Sequence, residues 1–285
     1  MTFESPQQDK AIEISKAFFM KVGRVFCNDL VLIKTHIMNK KFIYSILSLL
    51  LILTACSSNM SDLVVIDPNI DNNAQYKILP LGASRVDGAR PVFESYRYEL
   101  WKQLIDGGHS FDLIGSKQDE ASYPNHANQM FDRDHSGYGG FTSGQILSNL
   151  NAWLNEAGTP DIVLLSSPGG NDALQNLPYA NAVTNINAIV DLLQERNPNV
   201  TIIIEQLAPG MTSIMTPTLT NYMLQMQQEV VTIANNKTTA TSQVLTVDMF
   251  TGFNDSLLED NVHYNQAGAE FIATRYYNAL LPLLQ

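Results

Sequence analysis

Cysteine is almost absent from this chain. Two occur in 285 residues, Cys27 and Cys56, and none follows. Whatever folds after Cys56 does so without a disulfide, which a core of roughly 230 residues does not need. Clustered positive charge is missing as well. The formal net charge is −11, and no Lys/Arg cluster appears beyond Lys40-Lys41. Binding a nucleic acid requires basic patches that displace counterions, so that class of partner is excluded. An acidic surface also disfavours anionic membranes and polyanionic substrates. A long apolar run is the third absence. Phe42 to Leu53 is the longest, and it falls short of the about 20 residues a comfortable transmembrane helix needs. The remainder has an ordinary globular composition, 45% hydrophobic and 16% charged.

That apolar run has a different meaning. It follows the basic segment Asn39-Lys40-Lys41 and precedes Thr54-Ala55-Cys56. A basic region, a short apolar region and a small-residue cleavage site make a secretory signal. Leu53-Thr54-Ala55-Cys56 resembles a bacterial lipobox, which implies lipidation at Cys56. An uncleaved anchor is the alternative, and in both cases the rest of the chain is expected outside the cytoplasm, in the cell envelope. Residues 38–55 read as the signal segment, with Met38 a natural start, and residues 1–37 as an upstream extension or a cytoplasmic tail. Removing residues 1–55 takes away seven Lys/Arg and four Asp/Glu, so the part that remains carries −11 − (7 − 4) = −14. Residues 56–75 are mostly polar and read as a tether.

From Tyr76 onward, short apolar runs alternate with segments of helical spacing. Strands are expected at Tyr76–Leu81, Phe111–Ile114, Asp161–Ser166, Val200–Leu207 and Val244–Met249. Helices are expected at Ser95–Ile105, Thr142–Glu156, Ala180–Glu195, Thr216–Asn235 and Asn265–Leu281. The methionines of the fourth helix read as core filler. Gly115 to Gly140 reads as a long polar loop. The pattern predicts one α/β domain over residues 76–285, three layers deep, with a five-stranded parallel sheet in the flavodoxin-like order 2-1-3-4-5.

Three blocks follow predicted strands. ILPLGAS ends at Ser84, SSPGGND ends at Asp172, and DNVH runs from Asp260 to His263. Loops leaving the carboxyl ends of parallel strands converge on one crevice. Ser84 is a candidate nucleophile, and glycine before it permits a sharp turn. Asn171 is a neutral N–H donor suited to a developing oxyanion. His263 is a candidate base. Asp260 lies three residues before it and can fix its tautomer. Asp255, Glu259 and Asp248 are rival orienting acids. Taken singly, each block could equally be a turn or a helix cap.

Together the blocks resemble the SGNH, or GDSL-type, hydrolase superfamily. By position, Ser84 matches its nucleophile, Gly140 in GYGGFTSGQI its oxyanion glycine, Asn171 its G-x-N-D asparagine, and Asp260 with His263 its D-x-x-H pair. The resemblance implies a serine esterase with a Ser-His-Asp triad, an acyl-enzyme, and an oxyanion hole formed by Ser84, Gly140 and Asn171. It implies no metal and no organic cofactor. SYRYELWKQLIDGG, FDLIGS, DRDHSGYGG and WLNEAGTPDIVLL are similar to the branch that includes acetylxylan esterases. The implied substrate is an ester, in particular an acetylated carbohydrate.

Ala83 departs from the family's G-D-S block, and Arg85 stands where an apolar residue is usual. Arg85, His135, Tyr138, Phe141 and Asp172 are further candidates for touching substrate. Arg85 could instead pair with Asp87, and Tyr138 and Phe141 could only anchor their loop. Asp132, Asp134 and His135 fit no strong metal spacing. Two other functions stay open: a lysophospholipid or thioester hydrolase, favoured by an apolar groove, and a non-catalytic glycan-binding lipoprotein, favoured by Ala83.

Overall fold

A computed structural model describes residues 73–285. The chain divides into two units, Met1–Val65 and Ile66–Gln285. The expectations for the upstream extension, the signal segment, Cys56 and most of the tether lie outside the described residues.

The first strand, β1 (Tyr76–Gly82), is apolar and buried from Ile78 onward. It pairs in parallel with β2 (Phe111–Leu113) on one side and β5 (Ile162–Leu165) on the other. β6 (Thr201–Gln206) and β7 (Val244–Asp248) extend the sheet beyond β5, also in parallel. Two further strands fall within the segment expected to be a polar loop. β4 (Asp134–Gly137) pairs in parallel with the end of β1, and β3 (Lys117–Gln118) pairs antiparallel with β4. The sheet is thus mixed and seven-stranded, not a purely parallel five-stranded one. Both extra strands are short and polar, so no apolar run betrays them.

Pro80 shows how β1 accommodates three neighbours. A central strand rarely tolerates proline, which removes a ladder donor. Here β2 pairs with Tyr76, Lys77 and Ile78, and β4 with Leu81 and Gly82. The Ile78 carbonyl accepts from Ile114 and the Gly82 carbonyl from Tyr138, so the even-numbered residues face this side. Pro80 therefore sits in the gap between β2 and β4, where no partner needs its missing N–H.

Helices cover both faces. α1 (Ser84–Asp87) is a single turn after β1, and α2 (Arg97–Asp106) follows it. α3 (Ser143–Ala157) starts at a capping box, in which Thr142 and Gln145 satisfy each other's backbone N–H groups. α4 (Gly170–Leu174) is short, and α5 (Tyr179–Arg196) precedes β6. α6 (Pro217–Lys237) opens with a Thr216 cap and a proline in its first turn. α7 (Gln266–Leu280) is capped by Asn265. Ile78, Leu164, Ile203 and Val247 point from the sheet into one core with α2 and α7. Leu79, Leu165, Ile202 and Ile204 point into a second core with α3, α5 and α6. Met223 and Met226 lie in that second core. The result is a three-layer α/β/α fold. None of the described helices is long and apolar enough to cross a membrane.

Candidate active site

Ser84 is the first residue of α1, directly beyond the end of β1. The turn demands a glycine at position 82. A Cβ there would come within 2.8 Å of Val86 Cγ2 and 3.0 Å of the Ser166 carbonyl oxygen. Ala83 fits at the N-cap, and its carbonyl accepts from the N–H groups of Val86 and Asp87.

His263 lies on the segment between β7 and α7. Its Nε2 is 2.9 Å from Ser84 Oγ, across 179 residues of sequence. Its Nδ1 is 2.7 Å from Asp260 Oδ2. A carboxylate only accepts, so Nδ1 carries the proton and Nε2 accepts from the serine hydroxyl. The other Asp260 oxygen accepts from the backbone N–H groups of Val262 and His263, both at 2.8 Å. Partial burial works to raise the Asp260 carboxyl. The His263 bond and the two backbone N–H groups outweigh that and hold it below the ordinary carboxylate range. Two of the three rival acids are engaged elsewhere. Asp255 accepts from Thr212, and Asp248 caps the Phe250–Thr251 turn. A hydroxyl, an imidazole and a carboxylate in this chain can deprotonate the hydroxyl as it attacks a carbonyl carbon.

Asn171 and Ser84 line the same small cavity. The Asn171 amide donates one hydrogen to the Phe141 carbonyl at 2.9 Å and keeps a second. Gly140 adjoins Phe141, with φ of +79° that favours glycine. Its turn is pinned twice more, by Gln175 on the Gly140 carbonyl and by Asp87 on the Gly139 N–H. The loop carrying Gly140 is thereby tied both to α1 and to α4.

Three of the five side chains expected to contact substrate are buried and bonded to the scaffold, and the other two are half-buried in a ring stack. Arg85 is buried, not exposed, and does not pair with Asp87. Its guanidinium donates to the carbonyls of Val262, Ala208 and Pro209 at 2.8, 2.8 and 3.0 Å. It also lies over the Tyr264 ring. Asp172 is buried and accepts from the Ser143 N–H and hydroxyl, fixing the start of α3. His135 is fully buried in β4, where its Nδ1 accepts from the Gly137 N–H. Burial, with the charges of Arg97 and Lys117, pushes its imidazole well below the ordinary range and keeps it neutral. Tyr138 stacks on Trp153 at 4.3 Å, and Phe141 stacks on Tyr138, so both rings anchor their loop. Both rings stay half-buried. No group of His, Cys, Asp and Glu side chains among the described residues is arranged to hold a metal ion.

Two residues of this neighbourhood escape sequence reasoning. Phe93 stacks on His263, with ring centroids 3.8 Å apart and planes 10° from parallel. Nothing in its local sequence marks it. Glu205 is fully buried at the end of β6 and accepts from Ser166, Ser167 and Tyr276. Its signal was legible. A single acid inside TIIIEQ, in a strand buried on both faces, must be partnered. Burial raises its carboxyl above the ordinary range, and the Ser167, Tyr276 and Ser166 bonds and the Arg85 charge only partly offset this. Ser167, which it holds, has φ of +48° and lines the Ser84 cavity.

Residues 106–271 match the GDSL-like Lipase/Acylhydrolase family. The chain belongs to that family. The matched stretch contains Gly140, Asn171, Asp260 and His263, with Ser84 just ahead of it. Among solved structures, this GDSL-like hydrolase is similar to a family 3 carbohydrate esterase from Talaromyces cellulolyticus. Identity is 26% over 73% of this chain and 98% of that one, with a TM-score of 0.63. It is similar also to a Clostridium thermocellum family 3 carbohydrate esterase, 29% identical over 73% of this chain and 96% of that one, with a TM-score of 0.58. An acetyl esterase mutant with acetate ion is 25% identical over 73% and 98%, with a TM-score of 0.63. No curated protein matches. The GDSL-like hydrolase thus falls in the esterase and carbohydrate-esterase branch of the SGNH superfamily.

Proposed function

We propose that this hydrolase is a serine esterase that removes acyl groups, acetyl among them, from carbohydrate. The observation that carries the reading is the continuous chain Ser84–His263–Asp260, with contacts of 2.9 and 2.7 Å. His263 takes the Ser84 proton as Oγ attacks the ester carbonyl. The oxyanion is held by the backbone N–H groups of Ser84 and Gly140 and by the second Asn171 amide hydrogen. His263 returns the proton to the leaving alkoxide. Water then attacks the acyl-enzyme by the same route, releasing the acid and Ser84. Asp260 holds the imidazole tautomer throughout and steadies the imidazolium. No metal or organic cofactor enters these steps.

The carbohydrate part of the reading is supported by the three esterase relatives, two of them named for carbohydrate. The cell-envelope location is supported by the lipobox at Leu53–Cys56, through which a lipid on Cys56 would hold the domain at a membrane. Acetate release from acetylated xylo-oligosaccharides tests the substrate class. Release that requires Ser84 upholds it. Turnover of simple esters with none of any acetylated glycan would remove carbohydrate from the proposal. A cysteine-dependent mass shift at Cys56 in membrane fractions tests the anchor.

A further inference from the structure

Ala83 leaves the Ser84 turn without a side-chain cap. A different residue ties that turn to the loop carrying Gly140. Asp87 closes α1, and its N–H donates to the Ala83 carbonyl at 2.9 Å. Its carboxylate leaves the helix toward the loop. Oδ2 accepts from the Gly139 N–H at 3.0 Å, and Oδ1 accepts from Lys117 Nζ at 2.6 Å.

The contact falls where the chain leaves the sheet. The Tyr138 N–H donates to the Gly82 carbonyl at 3.1 Å. The next N–H, that of Gly139, goes to Asp87. The Phe141 N–H turns back to the Tyr138 carbonyl at 3.1 Å. The Gly140 N–H lies between these two fixed donors, and Gln175 holds the Gly140 carbonyl at 3.1 Å. Gly137 permits the close approach of α1, since a Cβ there would lie 2.5 Å from the Asp87 backbone nitrogen. In the esterase reading, the N–H groups of Ser84 and Gly140 share one oxyanion, so their separation has to be fixed in advance. Asp87 belongs to the helical turn of Ser84 and bonds the neighbour of Gly140.

A carboxylate so near an oxyanion donor has a drawback. Its charge opposes the negative charge that develops on the substrate oxygen. Lys117, on β3, compensates that charge. The Asp87 side chain is only 20% exposed, so solvent screens the pair less than it would on open surface. Lys117 Nζ also lies 5.4 Å from the centroid of the Tyr138 ring, beside Gly139. The pair therefore gives the Gly139 N–H a strong acceptor without an uncompensated charge.

We infer that Asp87, neutralised by Lys117, is a positioning residue that sets the Gly140 N–H for the oxyanion in a chain with no acid at position 83. This rests on the esterase reading above and deepens it. Asp87 acts through the loop backbone and exchanges no proton with the substrate.

The test measures kcat, KM, inhibition by phenylboronic acid and Tm on the whole chain, with p-nitrophenyl acetate as substrate. Boron bonds to Ser84 Oγ and presents an oxygen where the oxyanion forms, so its affinity reports on the hole without turnover. Asp87→Ala should lower kcat by about 100-fold, as a displacement of about 1 Å does, with KM little changed and boronate binding weakened in step. Lys117→Met leaves the carboxylate unpaired and should lower kcat by about tenfold or more. Adding Asp87→Asn to Lys117→Met restores a neutral acceptor and should recover most of that loss. Wild-type kcat and boronate binding in Asp87→Ala overturn the positioning role, whatever the Tm, and leave the esterase reading standing. A double variant no faster than Lys117→Met also overturns it. No wild-type turnover beyond that of Ser84→Ala overturns this inference and the esterase reading together.

Discussion

Arg85 Nε donates to the Val262 carbonyl at 2.8 Å, joining the residue after Ser84 to the residue before His263. The nucleophile and its base come from opposite ends of the domain. The same guanidinium grips Ala208 and Pro209 in the segment after β6. One side chain thus ties two loops to the turn that carries Ser84.

Arg85→Met keeps the apolar stem and removes every one of these donors. Three carbonyls then lose their partner. A catalytic contact displaced by about 1 Å loses on the order of 100-fold, and kcat for an activated ester should fall by that order. Thermal unfolding should drop as well, because the buried Ala208 carbonyl left unsatisfied costs about 1–3 kcal/mol. An unchanged kcat would show that the loops hold their places without the arginine.

Asp260→Asn should lower kcat by about 10⁴-fold, since the amide stabilises the wrong imidazole tautomer. The carboxyl is held below its ordinary range in the folded protein. Its stabilising contribution is therefore present above the unfolded value of about 3.9 and is lost as pH falls through the folded value. Unfolding curves of wild type and variant should differ at pH 6 and converge in acid. A gap that persists unchanged to low pH would contradict this.

Glu205 should behave in the opposite sense. Its carboxyl is raised by burial. The folded state then binds a proton more tightly than the unfolded chain. The stabilisation is full below the unfolded value of about 4.3 and is lost as pH rises through the folded value. The stability advantage of wild type over Glu205→Gln should shrink between pH 4 and 8, measured as a difference in Tm. A difference that grows with pH would reverse the assignment.

Asp172→Ala removes both acceptors of Ser143 at the start of α3. The loss should be about 1–3 kcal/mol, or a fall in Tm of several degrees for a domain of this size. If Asp172 instead binds substrate, KM rises and Tm holds.

The layers of the fold were legible because apolar runs of strand length alternate with helical spacing from Tyr76 to the C-terminus. β3 and β4 were not, because Lys117–Gln118 and Asp134–Gly137 carry no apolar pattern and pair only through backbone groups. Ser84, His263 and Asp260 could be grouped from their positions after strands, and the structure brings them into hydrogen-bond contact. Arg85, Asp172 and His135 were singled out for one shared reason. A polar side chain next to a reactive residue looks like a substrate contact in sequence, whereas its hydrogen bonds here go to the scaffold. Phe93 was invisible, since its contact with His263 depends on where a loop packs and not on any local pattern.

The central claim is that Ser84 is an activated nucleophile. The most direct measurement is hydrolysis of p-nitrophenyl acetate by the purified protein beside its Ser84→Ala variant. The account predicts turnover in the first and a loss of at least about a thousandfold in the second, with unfolding temperatures unchanged. Equal turnover by a folded Ser84→Ala protein would contradict it.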